Sequence, residues 1–165
     1  MILKRFDPSS RATAIKKSDE SSMQHVLYVE DEDVNWEVAE HGLRSRYRMT
    51  RARDARETFE LVQANRFELI LMDIQLSGSD LDGIAITRAL RGTLGAATPS
   101  YATGVIMKDT PIVFVTAYTA RYRREELVAA GGSDLITKPV NLTGLSLAIS
   151  RWLSRGAIDR LSKAK

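Results

Sequence analysis

Leu69-Ile70-Leu71-Met72-Asp73 is the stretch on which the fold turns. Four apolar residues in a row, preceded by Phe67-Glu68 and followed by the Gly/Ser/Asp-rich residues 77–83, read as a short strand buried on both faces. A strand of that kind belongs inside a parallel sheet. The run ends on a carboxylate, and in open α/β sheets the carboxyl ends of the strands face the ligand crevice. Asp73 is therefore the first functional candidate, although taken alone it reads equally well as the start of a turn.

Its company decides between the two. His25-Val26-Leu27-Tyr28-Val29 runs into Glu30-Asp31, Pro111-Ile112-Val113-Phe114-Val115 runs into Thr116-Ala117, and Asp134-Leu135-Ile136-Thr137 runs into Lys138-Pro139. If these strands are parallel, three carboxylates, a hydroxyl and an ammonium arrive at one rim of one sheet. Clustered carboxylates repel unless a cation lies between them, and an all-oxygen set suits Mg²⁺. A lysine and a hydroxyl beside that cation would hold phosphoryl oxygens, so the constellation reads as a phosphoryl-transfer site with a metal.

The order Glu30-Asp31, Asp73, Thr116-Ala117, Lys138-Pro139, each motif at a strand end, resembles the receiver domain of two-component response regulators. The resemblance covers residues 23–154. It implies a flavodoxin-like α/β fold, a doubly wound, five-stranded parallel sheet of order 2-1-3-4-5 with its switch point between strands 1 and 3. It implies that Asp73 is the nucleophile, taking a phosphoryl group from a phosphohistidine on a histidine kinase or histidine phosphotransfer protein. Asp31 and Asp73 would bind Mg²⁺ directly with the backbone carbonyl of Gln75, and Glu30 would act through a water. Lys138, Thr116 and the Ala117 N–H would bond phosphoryl oxygens, and the Lys138-Pro139 peptide would be cis, aiming the ammonium into the crevice. The chemistry implied is limited to Mg²⁺-dependent self-phosphorylation and autodephosphorylation. Haloacid-dehalogenase-type phosphatases share the aspartyl-phosphate idea, but the second aspartate they place two residues after the nucleophile is Gln75 here.

The chain departs from the family pattern in three places. The loop after Asp73 is longer than usual and has Ser77 where a proline is common. Residues 92–109 form a long connection with little periodicity, and connections of this length are uncommon inside compact domains. Strand 5 carries Leu135 where receivers commonly have Tyr or Phe, so the usual aromatic switch is absent. That absence leaves a second reading, a receiver-fold interaction module that signals without phosphorylation.

Between the strands, Asp33 opens a helix with Val38, Ala39, Gly42 and Leu43 on its inner face, and Trp36 either covers its edge or is an exposed contact. The weak strand 47–52, interrupted by Arg48 and Arg51, belongs at the sheet edge. Asp54 and Glu57 form a capping box for a helix that buries Ala55, Thr58, Phe59 and Val62. A third helix turns Gly83, Ile86, Thr87 and Leu90 inward. A fourth, over 120–130, stops at Gly131-Gly132, and Asn141 caps a fifth with Leu142, Leu145, Ile149, Trp152 and Leu153 along one stripe. Tyr118, two residues after Thr116, either covers the site against water or belongs to a partner-binding face.

The 165 residues, 44% of them hydrophobic, suffice for one domain with short tails and leave no room for a second. The expectation is a single-domain response regulator that passes its signal to a downstream protein by contact. There is no cysteine, which agrees with a reducing cytoplasm, and no signal peptide or run of eighteen apolar residues. A soluble, cytoplasmic protein without a membrane association is expected. Charge is uneven: residues 1–22 carry +2, residues 151–165 carry +4, and residues 23–150 carry −3. Basicity thus resides in a disordered tail, 1–22, and a C-terminal tail, 155–165, which read as solvated ends rather than as a nucleic-acid surface.

Overall fold

The computed structural model describes residues 22–117 and 121–163, with side chains as far as 156. The expected disordered tail, 1–22, lies outside the described residues except for Ser22, and Tyr118 also lies outside them. Five strands, β1 (His25–Val29), β2 (Arg48–Ala52), β3 (Leu69–Asp73), β4 (Ile112–Thr116) and β5 (Asp134–Thr137), form one sheet of order β2-β1-β3-β4-β5, parallel throughout. Five helices alternate with them: α1 (Asp33–Leu43), α2 (Ala55–Ala64), α3 (Gly83–Arg91), α4 (Arg124–Ala129) and α5 (Leu142–Lys163). This is the doubly wound, flavodoxin-like order.

Alternation of side chains across the pleat builds two cores. Leu27, Val29, Ile70, Met72, Ile112 and Phe114 point to one face and meet Phe59 of α2, Ile86 and Leu90 of α3 and Leu127 of α4. Val26, Tyr28, Leu69, Leu71, Val113 and Val115 point to the other and meet Ala39 and Leu43 of α1 and Leu145, Ile149 and Leu153 of α5. β1, β3 and β4 are buried at every residue, whereas β2 is partly exposed at the edge, where Arg48 faces water.

Local signals place most helices. The Asp54 carboxylate caps α2 by accepting from Glu57 N (2.8 Å), but the box is not closed as expected, because Glu57 Oε2 accepts from Arg53 N (2.6 Å), one residue upstream of the cap. Asn141 caps α5 through Thr143 N (2.9 Å). In α1 the inner stripe narrows to Ala39 and Leu43, and Val38 is exposed. Trp36 lies half-buried against Tyr28, the edge-cover arrangement. Helix α5 continues to Lys163, through most of the stretch read as a C-terminal tail.

Residues 92–109 hold more structure than their weak periodicity suggests. Two 3₁₀ turns, Gly95–Ala97 and Ser100–Ala102, fold the segment against α2, with Ala102 fully buried. The segment leaves and returns at the rim opposite Asp73, yet it does not stay there, as described below. Arg91 anchors its return, its guanidinium donating to the carbonyls of Met107, Thr110 (2.8 Å) and Gly131 (3.1 Å). Gly131, at φ +100°, has no side chain to overlap the Arg91 stem.

Candidate functional site

The parallel register carries the strand ends to one rim. β1 and β3 are adjacent, so Glu30, Asp31 and Asp73 present oxygens that all lie within 4.8 Å of one another. Asp73 also stands one residue before the level of Thr116 on β4, which pairs in turn with Thr137 of β5 next to Lys138. Lys138 reaches back across the sheet. Its Nζ donates to Asp73 Oδ2 (2.6 Å) and Glu30 Oε2 (2.7 Å), and its backbone N–H donates to Thr116 O (2.8 Å). The Lys138-Pro139 bond is cis.

Burial sets the electrostatics. Glu30 is fully buried and Asp73 nearly so, and burial raises the Asp73 carboxyl above its ordinary value even though Lys138 pulls the other way. Burial opposes the Lys138 ammonium too, but its bonds to Asp73 and Glu30 outweigh that effect and hold it above the ordinary lysine value. Each carboxylate is fixed by further donors. Glu30 accepts from Tyr28 OH (2.8 Å), Glu32 N (3.1 Å) and Asn35 Nδ2 (3.3 Å); Asp73 Oδ1 accepts from Gln75 N (3.1 Å); Asp31 Oδ2 accepts from Ser77 N (2.9 Å). Among the described residues no buried side-chain nitrogen or oxygen lacks a partner.

The approach of α3 is equally close. Gly83 N donates to Ile74 O (2.9 Å), and a Cβ at Gly83 would overlap the Asp73 carbonyl oxygen. Glycine at this position is what lets the helix start against the strand end.

The structure thus brings Glu30, Asp31, Asp73 and Lys138 together and sets Thr116, buried, and Ala117, exposed, at the adjoining strand end. The Gln75 side chain is exposed. Two residues at the site carried no functional reading in the sequence. Tyr28 buries its hydroxyl against Glu30, and burial together with that carboxylate pushes its pKa far up, so it remains a donor. The signal was available, because residues two apart on a strand share a face and a lone phenol in an aliphatic run needs a partner. Arg51 is the second. Its side chain is 10% exposed, and it donates to Glu30 O (2.8 Å), Asp31 O (2.8 Å) and Asp33 Oδ1 (2.6 Å), fixing the turn that presents both acids. Arg51, joined by Arg53, holds the Asp33 carboxyl below its ordinary value.

A family model, the response regulator receiver domain, matches residues 26–150. The chain belongs to this family. Among similar proteins, the response regulator mcs4 of Schizosaccharomyces pombe is 33% identical over 144 residues, covering 78% of this chain and 27% of mcs4. The autoinducer 2 sensor kinase/phosphatase LuxQ of Vibrio parahaemolyticus is 30% identical over 161 residues, covering 96% of this chain and 17% of LuxQ. The chain therefore spans about a quarter and about a sixth of these two relatives. The receiver domain of sensor histidine kinase PA1611 from Pseudomonas aeruginosa superimposes with a TM-score of 0.65 at 31% identity, covering 81% of this chain and 99% of that one; it holds a magnesium ion in its active site cleft. A CheY-like receiver domain protein from Methanospirillum hungatei shares the fold with a TM-score of 0.68 at 22% identity, covering 84% of this chain and 99% of that one.

Proposed function

We propose that this receiver domain is a phosphoacceptor in two-component signalling, with Asp73 taking a phosphoryl group from a histidine kinase or histidine phosphotransfer protein. The observation that carries the reading is the Lys138 ammonium bridging Asp73 and Glu30 at 2.6 and 2.7 Å beside Asp31. An Asp73 carboxylate oxygen attacks phosphorus as the P–N bond of the phosphohistidine breaks, and the imidazole leaves with the electron pair, neutral because its other ring nitrogen carries a proton. Lys138 exchanges its hold on Asp73 for a phosphoryl oxygen. The Thr116 hydroxyl and the Ala117 N–H bond others, so the developing charge is met by fixed donors.

Three carboxylates against one ammonium leave an excess of negative charge among hard oxygen donors, which fits Mg²⁺. Asp31, Asp73 and the Gln75 carbonyl would hold it, with Glu30 acting through a water; when bound, it neutralises repulsion between the carboxylates and the incoming phosphoryl group. Tyr28, Asn35 and Arg51 orient the acids around it. We assign 23–154 as the receiver unit and place the protein in the cytoplasm. Among the described residues no helix is long and apolar enough to cross a membrane. The signal passes to a downstream protein by contact.

Incubation with a small phosphodonor and Mg²⁺, read by intact mass, tests the reading. The parent protein should gain one phosphoryl group, whereas Asp73→Asn should gain none and Asp31→Ala should lose Mg²⁺ binding and labelling together. Undiminished labelling of Asp73→Asn would falsify the assignment. A phosphorylation-independent interaction module is the second reading, favoured by Leu135, which packs half-buried against the core at the position where receivers carry an aromatic. It requires that partner binding be the same for phosphorylated and unphosphorylated protein.

A further inference from the structure

The two places where this chain is longer than the receiver pattern touch each other. Tyr101, on the 3₁₀ turn Ser100–Ala102, packs its ring on Phe59 (5.8 Å between centroids) beneath the Arg56 guanidinium (4.5 Å). Its hydroxyl donates to both oxygens of Asp80 (2.7 and 2.8 Å), in the extended loop between β3 and α3. That loop is tied down on either side of the contact. Ser79 Oγ accepts from Ala55 N (3.0 Å) at the start of α2 and donates to Leu81 O (2.7 Å). Gly78, at φ +77°, makes the bend, and Ser77 N donates to Asp31 Oδ2. From Tyr101 to a carboxylate of the acidic cluster the path is therefore one side-chain bond, four residues of braced loop and one amide bond.

We propose that Tyr101 is a positioning residue for Asp31: residues 92–109 hold the 77–80 loop through Asp80, and the loop amide at Ser77 aims Asp31 into the cluster and so sets its affinity for a divalent cation. The cation half of this inference rests on the phosphoacceptor reading above; the positioning half does not. An amide bonded to one oxygen of Asp31 orients the other, and a ligand held in place binds without first being ordered. Coupling of this kind is reciprocal. Occupation of the cluster strengthens the Tyr101–Asp80 contact by the factor that the contact lends the cation, so the surface of residues 92–109 reports the state of the site.

Tyr101→Phe keeps the ring on Phe59 and deletes the hydroxyl, Asp80→Ala deletes the acceptor, and Asp80→Asn retains one. Amide exchange at Ser77 in the metal-free protein and Mg²⁺ affinity by calorimetric titration are read for each, beside thermal melts that confirm folding. Tyr101→Phe and Asp80→Ala should each speed Ser77 exchange and weaken Mg²⁺ by roughly three- to tenfold. Asp80→Asn should stay near the parent, and the double variant should be no worse than either single, since both remove one contact. Unchanged Ser77 exchange, or losses that add in the double variant, would overturn the positioning. Variants that bind Mg²⁺ as tightly as the parent would overturn it too, and leave the phosphoacceptor reading intact. A parent protein that binds no Mg²⁺ while Ser77 still responds would overturn the cation half together with that reading.

Discussion

Arg51 at the carboxyl rim and Arg91 at the amino rim both give their guanidinium groups to backbone carbonyls. Arg51 holds Glu30 and Asp31 and adds the exposed Asp33 carboxylate, so it orders one short turn from the neighbouring edge strand. Arg91 holds Met107, Thr110 and Gly131, so it ties the return of residues 92–109 to the turn before β5. Burial lowers the Arg91 pKa, with the nearby Asp109 charge opposing, yet the group stays ionised because arginine starts so high. The same donor fork does two jobs. Where the carbonyls belong to residues whose side chains form the acidic cluster, the clamp bears on that cluster; where they belong to connections, it bears on stability.

The largest expected effect follows for Arg91→Met. Three carbonyls lose a charged donor in a half-buried setting, and the fold should lose about 3 kcal/mol in denaturant unfolding while Mg²⁺ affinity is unaltered. Arg51→Met should cost less stability, about 2 kcal/mol, because its Asp33 partner is exposed and readily hydrated, but it should weaken Mg²⁺ by roughly tenfold. A calorimetric titration of both variants measures the contrast directly. If Arg91→Met weakens Mg²⁺ as much as Arg51→Met does, the two rims are not separable in the way their hydrogen bonds suggest.

That contrast also explains what was legible in the chain. Continuous apolar runs such as Leu69–Met72 are visible because burial on both faces removes the alternation that an exposed strand needs, and the residue that ends each run is then at the rim by geometry. The gathering of Glu30, Asp31, Asp73 and Lys138 at one rim is legible for that reason. In the sequence Arg51 reads as an interruption of a weak strand, since the carbonyls it holds, about twenty residues away, carry no mark there. Arg91 and Tyr101 escaped in the same way: their partners, Gly131 and Asp80, are set by tertiary packing around a segment without period. Glu57 shows the finer limit. The spacing of a capping box was present, but the free carboxylate found the Arg53 amide instead of the cap residue's own.

The smallest expected effect separates the rims by pH. His25, where β1 begins, is a buried polar group of the amino rim; Nε2 lies 2.7 Å from Thr50 Oγ1, Nδ1 lies 3.1 Å from Arg66 O, and the ring leans on Phe67. Burial first, and the Arg48 charge second, lower its pKa below 6.5, against the Arg66 carbonyl and the Glu68 carboxylate. At neutral pH His25 is therefore an uncharged imidazole at the amino rim. As pH falls past about 6.5 the unfolded chain takes up this proton and the folded chain does not, so the unfolded state binds more protons and stability falls. The contribution is intact above the unfolded value, is lost progressively below it, and levels off once pH passes the folded value. His25→Gln keeps a side chain able to bond Thr50 but cannot titrate. Urea unfolding from about pH 8 to about pH 5 should then show a shallower decline than the parent, with little change at the alkaline end, because there both forms of His25 are neutral. An unchanged slope would mean that the imidazole is protonated in the folded protein as readily as in the unfolded chain, and that the amino rim tolerates the charge its packing argues against.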